Sequence, residues 1–224
     1  MASLLRKNIA FFIPYLFFLF VGGFILGFWS KTDIHYCINR HHSHIANLFF
    51  SDWTNLGLAI MIIPVVLILS FVKLRYVIIS IIGFLVTVII TESLKYLFYT
   101  PRPVTVFNEI HQTLYLVPDI EMHLWKGFPS GHTATGFCMF CLLALYTQNN
   151  FLKFFYFVVV FLIAYSRMYL SQHFLQDVYA GSIIGIGSAL FAYTWVMNAH
   201  IFNAYTHRLD KPLIRLRFRK ITIN

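Results

Sequence analysis

Apolar residues in this chain fall into six long blocks, not into the alternating or amphipathic rhythms of a soluble fold. The blocks cover residues 9–29, 55–72, 76–94, 133–147, 151–165 and 174–196, each near the ~20 residues that an α-helix needs to cross a bilayer. Hydrocarbon offers no partner to a free amide, so such blocks predict helices that satisfy their own backbones. The fourth and fifth are short and are expected to extend into their flanking loops. The first is too long for the apolar stretch of a cleaved leader, and no small-x-small pattern follows it. The expected architecture is all-α: one domain over 1–224, a six-transmembrane-helix bundle whose last residues, 206–224, form a basic cytoplasmic tail.

Composition agrees with the pattern. The chain is 59% hydrophobic and 11% charged, against about 25% charged residues in a soluble domain. Its net charge of +9 would raise nucleic acid as a partner for a soluble protein. Here no folded basic domain accompanies it, and six of the cations, Arg208, Lys211, Arg215, Arg217, Arg219 and Lys220, sit together in the tail. That tail reads as a segment lying on anionic head groups. With the amino terminus inside, eleven of the 17 Lys and Arg fall on the cytoplasmic side and six on the other, so both termini are expected in the cytoplasm. Cys138 and Cys141 lie in an apolar block and Cys37 in a loop, which implies no disulfide framework and no redox or metal pair.

Two segments between the blocks stand out. Residues 32–53 are rich in His, Asn and Ser, with a rhythm that suggests a short interfacial helix. Residues 95–129 form a long loop with four prolines, and long ordered loops usually serve function. Three polar clusters then remain, all on the outer side: Lys95 with Arg102 and Pro103; Pro129, Ser130, Gly131 and His132; and Ser166 and Arg167 followed by His173 and Asp177. The topology count did not require them to share one face.

Their residue types suggest phosphate chemistry. Lys95, Arg102 and Arg167 are cations at membrane depth, where an unpaired charge is costly. Two guanidinium groups can fork around tetrahedral oxygens, and a lysine adds a point charge. Ser130 and Gly131 open a helix, where free amides and the dipole favour an anion. His173 and Asp177 are four residues apart, so the carboxylate can accept from one ring nitrogen and leave the other as a nucleophile. His132 is suited to protonate a leaving oxygen and then to activate water. Each residue alone is more often structural; eight on one side are not.

These motifs resemble the type 2 phosphatidic acid phosphatase (PAP2) superfamily, whose pattern is K-x6-R-P, then P-S-G-H, then S-R-x5-H-x3-D. Lys95 through Arg102-Pro103, Pro129 to His132, and Ser166-Arg167 through His173 to Asp177 match it at every defining position. The resemblance implies a lipid phosphatase that uses no metal or other cofactor. His173 would carry a phosphohistidine, His132 would be general acid and base, and Asp177 would orient the nucleophile. Lys95, Arg102, Ser130, Gly131 and Arg167 would bind phosphate. It also implies a bacterial inner-membrane enzyme with its site facing the periplasm, whose partners are the bilayer and a lipid phosphate substrate, with no obligate protein partner. Undecaprenyl diphosphate is the first candidate substrate, since carrier recycling is a common task of small bacterial members. Lipid A phosphate, phosphatidylglycerophosphate and phosphatidic acid follow. Phosphotransfer to another lipid, or lipid binding without turnover, are the alternatives.

Other polar residues carry less. His35, His41, His42 and His44 fit no zinc spacing. Glu92 is expected to pair with Lys95, three residues on along one helix. Asp119, Glu121 and His123 fit a substrate contact or a solvated loop equally.

Overall fold

A computed structural model describes residues 2–199, 202 and 205–214. Its long regular elements are α-helices, in the order α1 (Ala2–Lys7), α2 (Ile9–Phe28), α3 (Lys31–Asn39), α4 (His44–Trp53), α5 (Ile62–Ser70), α6 (Leu74–Phe98), α7 (Pro103–Glu109), α8 (Gly131–Tyr146), α9 (Asn150–Tyr169), α10 (Leu175–Asn198) and α11 (Thr206–Leu209), with an irregular loop over 110–130. Among the described residues, α2, α6, α9 and α10 are long and apolar enough to cross a membrane. α8, with 16 residues, is about 24 Å long at 1.5 Å per residue, short of the ~30 Å hydrocarbon core. The chain is therefore an all-helical multi-pass membrane protein.

The second block departs from expectation. It is not one straight span over 55–72 but two 3₁₀ turns, Thr54–Gly57 and Ala59–Met61, followed by α5. The two arms bend by 61° where Gly57 meets Leu58. The cause is contact with the bundle. The Gly57 carbonyl accepts from Thr135 Oγ1 of α8 at 2.7 Å, and a Cβ on Gly57 would lie 2.7 Å from Ile163 of α9. Only glycine permits that approach. The expected single interfacial helix over 32–53 is two helices, α3 and α4, begun by Ser30 and Ser43, whose hydroxyls accept from the amides of Asp33 and Ala46. As expected, α9 runs past its apolar block, so Ser166 and Arg167 stand in its last turn and not in a connection.

α8 is the axis of the bundle, packed against α6, α9 and α10. Phe11, Phe137, Val160, Val178 and Ala189 are fully buried around it. α10 lies on α8 through Gly181 and Gly185: a Cβ on Gly181 would stand 2.7 Å from the Ser130 carbonyl, and one on Gly185 would collide with that of Ala134. This contact sets the start of α8 beside the start of α10. Of the expected tail, residues up to Ile214 return to the turn between α5 and α6, where Leu213 N donates to Ser70 O at 2.8 Å and Leu74 N to Lys211 O at 3.0 Å. Arg215, Arg217, Arg219 and Lys220 lie outside the described residues.

Candidate active site

At one end of the bundle, α6 stops, α8 begins, α9 stops and α10 begins, and the eight site residues read from the sequence come to that end. Lys95 lies in the last turn of α6, its Nζ 2.6 Å from Glu92 Oε1, the ion pair the spacing suggested. A Cβ on Gly131 would sit 3.1 Å from this Nζ, so glycine leaves Lys95 room above the amino terminus of α8. Ser130 is fully buried. Its amide is already used, donating to the Asp177 carbonyl at 3.0 Å, and its hydroxyl accepts from Thr133 Oγ1 at 2.9 Å. The open amides are those of Gly131, His132 and Thr133, which find no backbone acceptor, as the first turn of a helix requires.

The two arginines are held by neutral oxygens. Arg102 caps α7 and donates through Nε to the Trp125 carbonyl at 3.0 Å. Its Nη1 donates to the backbone and side-chain oxygens of Gln172, at 3.2 and 3.1 Å. Burial lowers its pKa and the Asp177 carboxylate opposes that shift. Arg167 Nη1 donates to Thr54 Oγ1 at 2.6 Å, while its buried Nε has no partner. The bend in the second span is what delivers Thr54 to this position.

His173 lies just before α10, 2% exposed. Its Nδ1 is 2.7 Å from the Gly127 carbonyl oxygen and 3.5 Å from Asp177 Oδ2. A carbonyl can only accept, so Nδ1 carries the proton and Nε2 keeps its lone pair. Burial, and then the charges of Arg102 and Arg167, hold His173 well below its ordinary pKa. It therefore stays a free base. Asp177 was expected to accept the ring hydrogen; the nearer acceptor is Gly127, and Asp177 Oδ2 accepts instead from Phe174 N at 2.9 Å. The carboxylate thus fixes the start of α10 and stands second to Gly127 at the imidazole. His132, in the first turn of α8, is half-buried, and its ring makes no hydrogen bond among the described residues. Its charge would act on His173.

Gly127, Gln172 and Thr54 were missed. Gly127 and Gln172 act in part through backbone carbonyls, which side-chain identity does not reveal. Gln172 also uses Nε2, donating to the Glu121 carbonyl at 3.0 Å, so it ties Arg102 to the long loop. Its position directly before His173 was the available signal. Asp119, Glu121 and His123 are exposed. The other histidines are dispersed: His35 reaches Ser171 at 3.2 Å, His41 the Cys37 carbonyl, and His42 packs between Tyr115 and Tyr169.

Comparison with known proteins agrees with this geometry. A family model described as the PAP2 superfamily matches residues 74–201, more than half of the chain and all eight site residues read from the sequence. Among solved structures, LpxE of Aquifex aeolicus is similar with a TM-score of 0.65 and 26% identity over 72% of this chain and 93% of that one. A transmembrane PAP2-type phosphatidylglycerolphosphate phosphatase from Bacillus subtilis shares the fold, at a TM-score of 0.50 and 18% identity over 88% of this chain and 98% of that one. Comparison with curated proteins returns no match.

Proposed function

Because the chain belongs to the PAP2 superfamily, we propose that it is a membrane lipid phosphatase that cleaves a lipid phosphate or diphosphate through a phosphohistidine on His173. The observation that carries this reading is the His173 Nδ1 to Gly127 carbonyl contact of 2.7 Å. It leaves Nε2 unprotonated in a setting of two buried arginines. In the first step Nε2 donates its lone pair to phosphorus, the bond from phosphorus to the leaving oxygen breaks, and His132 gives that oxygen a proton. In the second, His132 takes a proton from water, the hydroxide attacks phosphorus, and the P–N bond breaks to release phosphate and restore His173. Lys95, Arg102, Arg167 and the amides at the start of α8 would meet the charge that grows on the non-bridging oxygens. With that charge met by the protein, turnover should need no added metal.

The Lys and Arg distribution supports an outward-facing site and cytoplasmic termini. Undecaprenyl diphosphate remains the first substrate to test, before lipid A phosphate, phosphatidylglycerophosphate and phosphatidic acid. Rapid quench with a ³²P-labelled lipid phosphate tests the nucleophile. Label should appear on wild-type protein as an acid-labile phosphoramidate, accumulate in His132→Ala when the leaving group is a nitrophenolate, and be absent from His173→Ala. Loss of His173 should lower turnover by about three orders of magnitude or more. Retention of more than about a tenth of the rate would assign the nucleophile elsewhere.

A further inference from the structure

At the opposite end of the bundle, α1, the beginnings of α2 and α9, and the end of α8 enclose a second polar cavity of about 200 Å³. Ser3, Lys7, Asn8, Gln148 and Lys153 supply its polar wall, and no histidine lines it. Lys153 is 2% exposed. Its ammonium donates to the carbonyl of Lys7 at 2.6 Å, which is its one hydrogen bond among the described residues. An ammonium has three donors, so two are left over.

Helix stability does not explain this lysine. Lys153 lies in the first turn of α9, where the helix dipole disfavours a cation. Nor does a counter-charge: of the chain's eight acids only Asp210 belongs to this end, and it is bound to Arg75. A buried cation without an anion is costly. Asn8, 3% exposed, also leaves its side-chain oxygen without a donor. The cavity sits at the end of the bundle where α2 and α9 begin and α8 ends, and spans end at lipid head groups. Two lysines, one of them buried with donors to spare, therefore face one hollow at this end of the bundle.

We propose that this cavity binds the head group of an anionic phospholipid, with Lys153 and Lys7 on its phosphate. It is proposed as a binding site without hydrolysis, because no histidine lines it to take up phosphorus as His173 would. Free phosphate offers the same chemistry, but the depth of the hollow at the span ends favours a lipid.

Native mass spectrometry of the full chain in detergent, with phosphatidylglycerol or phosphatidylcholine at equal concentration, tests the assignment. Two lysines predict about 30-fold greater retention of phosphatidylglycerol, in wild type and in His173→Ala alike. Lys153→Gln should bring retention down to that of phosphatidylcholine, and Lys153→Arg should preserve it. Lys7→Gln, at an exposed side chain, should give a partial loss, and serves if Lys153→Gln fails to fold. Equal retention of the two lipids by wild type, or a preference that survives both lysine-to-glutamine changes, would overturn the proposal. So would displacement of the lipid by millimolar inorganic phosphate, which would assign the cavity to a soluble anion. Turnover of p-nitrophenyl phosphate, measured separately, should be unchanged by Lys153→Gln. Absence of turnover in every variant would count against the phosphatase reading and leave the lipid preference standing.

Discussion

Buried arginines stand at both ends of the bundle, in a chain with eight acids, but they are held differently. Away from the histidines, Arg75 is 4% exposed and meets the Asp210 carboxylate at 3.1 Å. That pairing fixes the guanidinium and cancels its charge. At the histidine end, Arg102 and Arg167 are fixed by carbonyl, amide and hydroxyl oxygens, which orient a guanidinium without neutralising it. Lys95 is the exception, since it pairs with the Glu92 carboxylate at 2.6 Å. On the proposed reading, two buried arginines kept in place with their charge intact would meet an anion that arrives from outside, whereas the carboxylate-paired Arg75 would be a structural clamp.

The sharpest way to break this comparison is to change one arginine at each end. Arg102→Lys keeps the charge but loses the planar fork, so kcat/KM should fall by about 100-fold. Arg75→Lys should leave kcat/KM within about two-fold of wild type. Similar losses at both ends would mean that Arg102 is a structural clamp as well. The next test alters the acceptor. Gln172→Ala removes one hydrogen bond from Arg102 and should cost about ten-fold, mostly in KM. Gln172→Glu keeps an oxygen there but adds the neutralising charge, and should cost more than Gln172→Ala. If the glutamate variant retained more activity than the alanine variant, neutrality of the acceptors would not matter.

Much of this was legible in the sequence because membrane physics is blunt. Five of the six apolar blocks became single helices within a few residues of their expected limits, since unbroken apolar runs have one low-cost conformation in lipid. The block at 55–72 failed because its bend is fixed by Gly57 touching α8 and α9, a tertiary contact that leaves no periodic trace. The gathering of the eight candidate residues at one end was legible because each bears its chemistry on its own side chain or stands at a helix start that punctuation marks. Gly127 was not, because its contribution to His173 is a carbonyl that every residue carries. The 3.5 Å separation of Asp177 from His173 was hidden as well: spacing of four residues promised a shared helical face, but His173 stands outside α10.

The smallest expected effect on turnover, and the last test, concerns His35, which lies behind the site. It is 1% exposed, its Nε2 is 3.2 Å from Ser171 Oγ, and its Nδ1 has no partner. Burial, and secondarily the charge of His42, pushes its pKa down to about 4. An unfolded histidine titrates near 6.5. Between these values the unfolded chain binds a proton that the folded chain refuses. The stability difference is therefore nil above pH 6.5, grows as pH falls, and is complete below about 4, at about 3 kcal/mol. The histidine end should thus loosen on acidification. Thermal unfolding in detergent, followed at pH 7.5 and pH 5, should show a smaller acid shift for His35→Gln than for wild type. Asp210→Asn should leave that shift unchanged. Turnover of His35→Gln at pH 7.5 should stay within about two-fold of wild type, because the residue touches Ser171 and not the phosphate ligands. An undiminished acid shift in His35→Gln would move the origin of acid sensitivity to His173 or His132, whose pKa values burial also lowers.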